Sequence, residues 1–495
     1  MSLHSRDFLK KYTLLTIAFI CSLFIPYLLY SIRANPLYHE AIKPFSYPPM
    51  VKYSFKWPNI ASFKNDIPSN EDSLKYREDK LREIDQKFCG QDRCRFLLPI
   101  AITEQESKAQ LHFRQLAFLA GKIDRTIVLP NVYNSHFGAC LPHSFDFYFD
   151  ESWLKKNENR FDYITMGDFK SWLLARHYAG VIPTGQEIYL QRSQRSRLLK
   201  NIKNCFQDSF DFSGRPKVNY QLIDHQKAPK DMNMTDIMMS LLGDEARKHE
   251  YLSTTELETE SPPVDVINLF YDRRYQFMNN RRVAEPISYS KRWVDIADKI
   301  SEQLKPYIAI HWRMERLEPL SNLLPCAVNL VDEIRKLDPD GSESKHPNVF
   351  LLTDYPHLLN STGAVPESNS FMSSQLKSQH HNAITYLYEH LNVSLTTIAD
   401  KKIHYDQLPK ENWHLIPIDT NGNTEPTDRS ILGIIDKLVA MRAQWFFAGR
   451  PGVCAKSSSF TGRISSSRLQ AFRHGDDNIV VPLKTFNLNT EAISV

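Results

Sequence analysis

The sequence predicts an α/β fold in two halves, each a largely parallel sheet covered by helices. Three observations predict it. Short, continuously apolar runs of strand length recur early, as RFLLPIAI (95–102) and RTIVLP (125–130), and late, as YIAIH (307–311), NVFLLT (348–353) and WFFAG (445–449). Unbroken apolarity, in place of alternation, marks strands buried on both faces, as in parallel sheets. Between these runs lie segments whose apolar residues recur every three or four positions, the helical period.

At the N-terminus, Tyr12 to Ile32 carries no charge, and Arg6, Lys10 and Lys11 precede it. About 20 apolar residues match the hydrocarbon thickness of a bilayer. The positive-inside bias then predicts a cytoplasmic tail (1–11), a single transmembrane anchor (12–32) and a lumenal remainder. A cleaved signal peptide fits less well, because its apolar core is shorter and no A-x-A-like site follows here. Residues 33–87 read as a stem. Pro36, Pro44, Pro48, Pro49, Pro58 and Pro68 and the charged stretch 75–87 argue for an extended or weakly ordered spacer.

Ordered sequence is expected from Phe88. After the strand at 95–102, Leu111, Leu116, Leu119 and Ala120 fall at helical spacing within Gln110–Gly121, and the strand at 125–130 follows. The middle, 131–290, is less regular, with helical candidates at Lys170–His177 and Asn233–Leu242. Later helices are expected at Arg292–Leu304, Ala327–Leu337 and Ile431–Arg442, alternating with the three late strands. The implied division is 88–300 and 301–495. Ligands of such folds bind outside the carboxyl ends of the strands.

Composition narrows the function. Hydrophobic residues make up 42% and aromatics 12%, enough for a substantial core. Net charge is +4, from 61 basic and 57 acidic residues scattered along the chain, too mild and diffuse for a nucleic-acid protein. Outside Cys21 in the apolar segment, six cysteines remain (Cys89, Cys94, Cys140, Cys205, Cys326, Cys454), an even set that suits disulfides in an oxidising compartment. Cys89 and Cys94 are close enough to bridge locally; the rest of the pairing is open. Sequons at Asn233, Asn360 and Asn392 are compatible with a lumen.

The strongest chemical candidates follow strand 307–311. His311 and Arg313 are two apart on an extended chain and face the same way. An arginine fork matches phosphate geometry, so the pair suits a diphosphate. The competing reading is a structural pair of Arg313 with Glu315 or Glu318. Ser457–Thr461, after the turn Gly449–Gly452, precedes a short helix to Arg468; its hydroxyls and free N–H groups suit an anion, or simply cap the helix. Asp354 ends a buried strand and Asp436 lies in the helix 431–442, each a donor-side candidate or an ordinary carboxylate. No G-x-G-x-x-G, Walker loop, H-E-x-x-H or G-x-S-x-G is present. The single D-x-D, Asp338-Pro-Asp340, runs into Gly341 and reads as a turn. No metal is expected, since His380-His381 has no partner at ligand spacing.

In order, the segments Cys-Arg-Phe-Leu-Leu-Pro (94–99), Glu-Gln-Glu-Ser-Lys-Ala-Gln (104–110), Arg-Thr-Ile-Val-Leu-Pro-Asn (125–131), His-Trp-Arg-Met-Glu (311–315), Phe-Leu-Leu-Thr-Asp-Tyr-Pro (350–356), the helix 432–443 and Ser-Ser-Phe-Thr (458–461) resemble the GDP-fucose protein O-fucosyltransferase-like family, in particular its fungal branch. The resemblance covers residues 89–470. It implies a GT-B architecture, two Rossmann-like domains facing a cleft, with the donor-binding half C-terminal and the acceptor side N-terminal. It further implies metal-independent, inverting transfer of fucose from GDP-fucose to a protein Ser or Thr hydroxyl, without a cofactor. Carried over, His311 and Arg313 hold the diphosphate, Ser458, Ser459 and Phe460 line the donor pocket, and Asp354 and Asp436 lie on the donor side. Animal members have a Gly- and Asn-rich loop where this chain has Thr103-Glu-Gln-Glu-Ser107. Glu104 and Glu106 are therefore candidate bases, or carboxylates that favour the helix dipole. The whole reads as a type II membrane protein of the Golgi or ER acting on a protein or glycan acceptor. The same fold with another nucleotide sugar, or an inactive lumenal glycan-binding protein, are the alternatives.

Overall fold

The first apolar run forms β1 (Phe96–Ile102), buried along its length, in a computed structural model that describes residues 71–191, 201–215, 217–221, 234–242, 264–272, 276–337, 348–355, 371, 373–397, 413–418, 428 and 430–488. β1 pairs in parallel with β2 (Thr126–Val128) on one side and β8 (Val266–Asp272) on the other. β5 (Tyr163–Ile164) continues the sheet beyond β2, and β6 (Gly185–Gln191) and β7 (Val218–Gln221) continue it beyond β8, all in parallel. The hairpin β3 (Asn131–Tyr133) and β4 (His136–Gly138) adds an antiparallel edge at the end of β1.

The second sheet comprises β9 (Tyr307–Trp312), β10 (Asn348–Thr353), β11 (Val393–Thr397), β12 (Trp413–Pro417), β13 (Trp445–Gly449) and β14 (Lys484–Phe486). Their order is β12-β11-β10-β9-β13-β14, and every pairing is parallel. The α/β class with parallel sheets follows from the sequence as expected. Helices separate the strands: α1 (Glu71–Cys89), α2 (Glu106–Lys122), α3 (Met166–Tyr178), α4 (Met234–Leu242), α5 (Lys291–Leu304), α6 (Leu323–Arg335), α7 (Ser378–His390), α8 (Ser430–Arg442) and α9 (Ser459–Arg473).

Strand order fixes where ligands can bind. From β9 the chain builds outward through β10 and β11 to β12, then returns to place β13 and β14 on the other flank of β9. β1 likewise has β2 and β5 on one flank and β8 on the other. Each sheet thus reverses at its central strand, the place where ligands of such folds bind. One apolar core runs from Leu97 and Phe113 beneath the first sheet to Ile434 and Ile464 beneath the second. A second fills the other face of the second sheet.

Three departures from the sequence reading have physical causes. The sequence predicts an extended or weakly ordered stem to residue 87, yet α1 begins at Glu71, just past the last stem proline. Leu81, Ile84 and Phe88 share a helix face, and Asp85 is buried, accepting hydrogen bonds from Trp172 Nε1 (2.7 Å), Arg176 Nη1 (3.0 Å) and the Cys94 amide (3.1 Å). The irregular middle holds six strands (β3 to β8) of the first sheet, which the sequence reading did not place. The helix after Ser458 continues beyond Arg468 to Arg473.

The cysteines pair as Cys89–Cys94, Cys140–Cys205 and Cys326–Cys454. The apolar segment 12–32, the turn Asp338-Pro-Asp340, Asn233 and Asn360 lie outside the described residues. No described helix is long and apolar enough to cross a membrane. Asn392 is exposed just before β11.

Candidate functional site

His311 lies near the carboxyl end of β9, buried, with Nδ1 2.7 Å from Thr461 Oγ1 of α9. Its ring stacks on Phe460 with centroids 4.9 Å apart. Burial, reinforced by the Arg313 charge, pushes its pKa down to about 3, so the imidazole is neutral. Two residues on, the Arg313 fork grips Glu315: Nη2 is 2.5 Å and Nε 3.2 Å from Oε2, while Nη1 donates to the Ser457 carbonyl at 3.3 Å. The side chain stays 24% exposed whereas Glu315 is only 4% exposed. The guanidinium is therefore aimed from behind by a buried carboxylate and open in front.

Glu315 also accepts from Lys456 Nζ at 3.0 Å. Burial raises its pKa, but the hydrogen bonds from Arg313 and Lys456 outweigh this and hold it ionised below the usual range. Asp354 takes the Met314 and Glu315 amides on its two oxygens (2.8 and 3.0 Å), clamping the turn that carries Arg313. Burial lifts its pKa to about 6 against those two bonds.

The α9 N-terminus sits beside this turn. Ser458 caps it, its hydroxyl accepting from the Phe460 and Thr461 amides (3.2 and 3.5 Å), and Ser459 is exposed in the first turn. Lys456 N bonds the Arg313 carbonyl at 3.1 Å, and Trp312 Nε1 bonds the Cys454 carbonyl at 2.7 Å. These bonds, with the Cys326–Cys454 bridge, tie the loop after β13 to the end of β9.

From the other half, α2 presents Glu106, buried and ion-paired with Lys437 of α8. Tyr289 Oη (2.9 Å), Gln110 Nε2 (3.3 Å) and Ser107 Oγ (3.0 Å) also donate to Glu106. Burial raises its pKa, yet the Lys437 charge and these bonds win, so it is held below the usual range; Lys437 is held above its own. The ammonium also lies 5.1 Å from the Tyr289 ring centroid and 5.3 Å from that of Phe460. A continuous line of contacts therefore joins Glu106, Lys437, Phe460 and His311. Glu104, in the β1–α2 loop, adopts φ 92°, a strained conformation for a non-glycine residue, and lies 3.6 Å from Lys108 Nζ. Asp436 accepts from Thr396 Oγ1 of β11, and burial pushes its pKa up to about 7.

His311, Arg313, Ser458, Ser459 and Phe460 are thus drawn together at the reversal point of the second sheet. Glu106 reaches them through Lys437, whereas Asp354 and Asp436 support the neighbouring strands. Sequence reasoning missed Lys437 and Tyr289, whereas the Arg313–Glu315 pair it named as the competing reading does form. Lys437 left a signal: it stands three residues after Ile434, on the buried face of an apolar helix. Among the described residues no three His, Cys, Asp or Glu converge to hold a metal ion.

No protein-family model and no curated protein matches the chain. Among solved structures it is similar to POFUT1 in complex with GDP-fucose, at 13% identity and TM-score 0.41, covering 80% of this chain and 98% of that one. It is also similar to the fucosyltransferase NodZ from Bradyrhizobium, at 12% identity and TM-score 0.34, covering 75% and 93%. With scores this low, the functional reading rests on the site's own residues.

Proposed function

We propose that the chain is a glycosyltransferase of GT-B architecture that moves fucose from GDP-fucose to a protein Ser or Thr hydroxyl, with inversion and without a metal. The observation that supports this most is the Arg313 fork, pre-aimed by buried Glu315 and open beside the capped N-terminus of α9. Both features favour a diphosphate: the fork supplies charge-assisted bonds, and the helix end supplies a positive dipole. His311 is the uncharged neighbour that packs Phe460 into place.

In transfer, the bond from the sugar C1 to the diphosphate oxygen breaks and a new one forms to the acceptor oxygen. The leaving diphosphate takes the electron pair, and Arg313 meets the charge that develops on it. The hydroxyl proton passes to a base, for which Glu104 at the reversal point of the first sheet is the candidate. The donor side is the half from residue 301, the acceptor side 88–300, and the chain a type II protein of the Golgi or ER membrane. A protease added to intact microsomes then spares the 89–495 body; its digestion without detergent refutes that topology.

A donor-binding lumenal protein without turnover has one observation in its favour, the engagement of Glu106 by Lys437. The test is thermal stabilisation plus turnover with a panel of GDP- and UDP-sugars, with and without EDTA. GDP-fucose should stabilise the chain equally in EDTA and be consumed. Stabilisation without consumption favours the binding protein, and a response confined to UDP-sugars or to added divalent ions overturns the donor and mechanism.

A further inference from the structure

The central charges do not balance. Three cations, Arg114 of α2, Lys437 of α8 and Arg463 of α9, gather around Tyr289 and Glu106. Lys437 and Glu106 pair with each other. Arg114 is buried, its Nη1 bonded to Gln110 Oε1 (3.2 Å) and the Glu285 carbonyl (2.7 Å), while the Glu285 carboxylate pairs with Lys156 at 2.6 Å. No carboxylate pairs with Arg463 among the described residues; its guanidinium carbon lies 6.0 Å from the Tyr289 ring centroid. The Nε atoms of both arginines are buried and meet no hydrogen-bond acceptor among the described residues. Burial first and then the Arg463 charge lower the Arg114 pKa to about 9, in keeping with two close cations.

Such an arrangement is costly in an empty protein, because Arg463 is partly buried and each desolvated Nε–H loses its hydration without return. An anion supplied by a ligand removes the cost. Arg463 stands four residues after Ser459, on the same face of α9 and one turn along, about 5.4 Å. Ser459 is in the first turn, two residues after Ser457, whose carbonyl accepts from Arg313 Nη1. The adjoining face carries Phe460 against His311 and Lys437. Arg463 is thus placed one turn further along α9 than the anion site at the helix end, beside Tyr289.

We propose that Arg463 holds the second phosphate of a nucleoside diphosphate whose other phosphate sits between Arg313 and the N-terminus of α9. The inference rests on the donor reading above and deepens it: two guanidinium groups, on β9 and α9, divide one diphosphate between them. Arg114 stays behind Arg463 as a fixed positive neighbour that favours the dianionic ligand.

The test uses the full-length chain with Arg463→Met, which keeps the apolar stem, and Arg463→Lys, which keeps the charge. GDP and GMP binding are measured by calorimetry, with melting temperature recorded without ligand. Arg463→Met should weaken GDP about 10- to 100-fold, the range for losing a charge-assisted bond, and GMP by less than about threefold. Arg463→Lys should fall between. Without ligand, Arg463→Met should melt no lower than the unmodified chain, since an unpaired cation beside Arg114 is removed. Unchanged GDP affinity, equal losses for GDP and GMP, or a marked drop in melting temperature each overturn the inference. If the unmodified chain binds no GDP, the donor reading itself falls, an outcome distinct from these.

Discussion

Replacing Arg313 by alanine separates a functional from a structural arginine, because the structure sets different magnitudes for the two. The guanidinium gives two bonds to Glu315 and one to the Ser457 carbonyl, and it remains a quarter exposed. Removing it leaves buried Glu315 with Lys456 at 3.0 Å, so the carboxylate is not abandoned. A hydrogen bond to a charged group contributes about 1.5–3 kcal/mol, and the surviving lysine recovers part, so a loss of about 1–2 kcal/mol is expected. For a chain of this size that lowers the melting temperature by only a few degrees. Catalysis should fall much further: losing one donor to a developing oxyanion costs about 10²–10³ in rate, or roughly 3–4 kcal/mol. Arg313→Lys should keep an ion pair with Glu315 and nearly normal melting, yet remain strongly impaired, because an ammonium has no fork. Single-turnover transfer from GDP-fucose and thermal melting, measured on both variants, decide it. A folded Arg313→Ala protein with near-normal turnover per molecule refutes the reasoning, as does a large melting loss with activity intact.

Three further outcomes follow from other parts of the site. Glu106→Gln or Lys437→Met alone should cost about 3–5 kcal/mol in denaturant unfolding, since each strands a buried charge, while the double variant should lose less than the sum; additive losses would show that the two do not act as a pair. Asp436 has its pKa raised to about 7 in the folded chain, so its contribution is full below the unfolded value of about 4 and is lost as pH rises through 7. Asp436→Asn should therefore gain stability relative to the unmodified chain between pH 4 and 7, and a parallel pH profile would contradict the shift. Opening Cys326–Cys454, which closes a separation of 128 residues, should cost about 2–5 kcal/mol and weaken GDP binding as well, since Cys454 anchors Trp312; binding unaffected by Cys326→Ala/Cys454→Ala would show that the loop needs no such tether.

What was legible in the sequence was what local pattern alone determines. Strands buried on both faces advertise themselves, and β1, β9, β10 and β13 fall where their apolar runs lie. The expected helices at 110–121, 292–304 and 431–442 lie within α2, α5 and α8 for the same reason. By contrast β6 (GQEIYLQ) has an apolar run of only three residues and β7 (VNYQ) alternates, so no apolar run of strand length marked them; pairing of β6 with β8, and of β7 with β6, makes them strands. The same divide runs through the site. His311, Arg313 and Ser458–Phe460 are visible because each lies beside a strand end or helix start that the pattern fixes. Lys437 and Glu106 are separated by 331 residues, and neither lysine nor glutamate announces a partner at that distance. Their meaning comes from the two sheets meeting. A carboxylate that the sequence offered as a candidate base in one half is paired with a buried lysine from the other. On the proposed mechanism Glu104 is then the candidate base, and its φ of 92° in the loop leaving β1 costs about 1–3 kcal/mol that the surrounding structure must sustain.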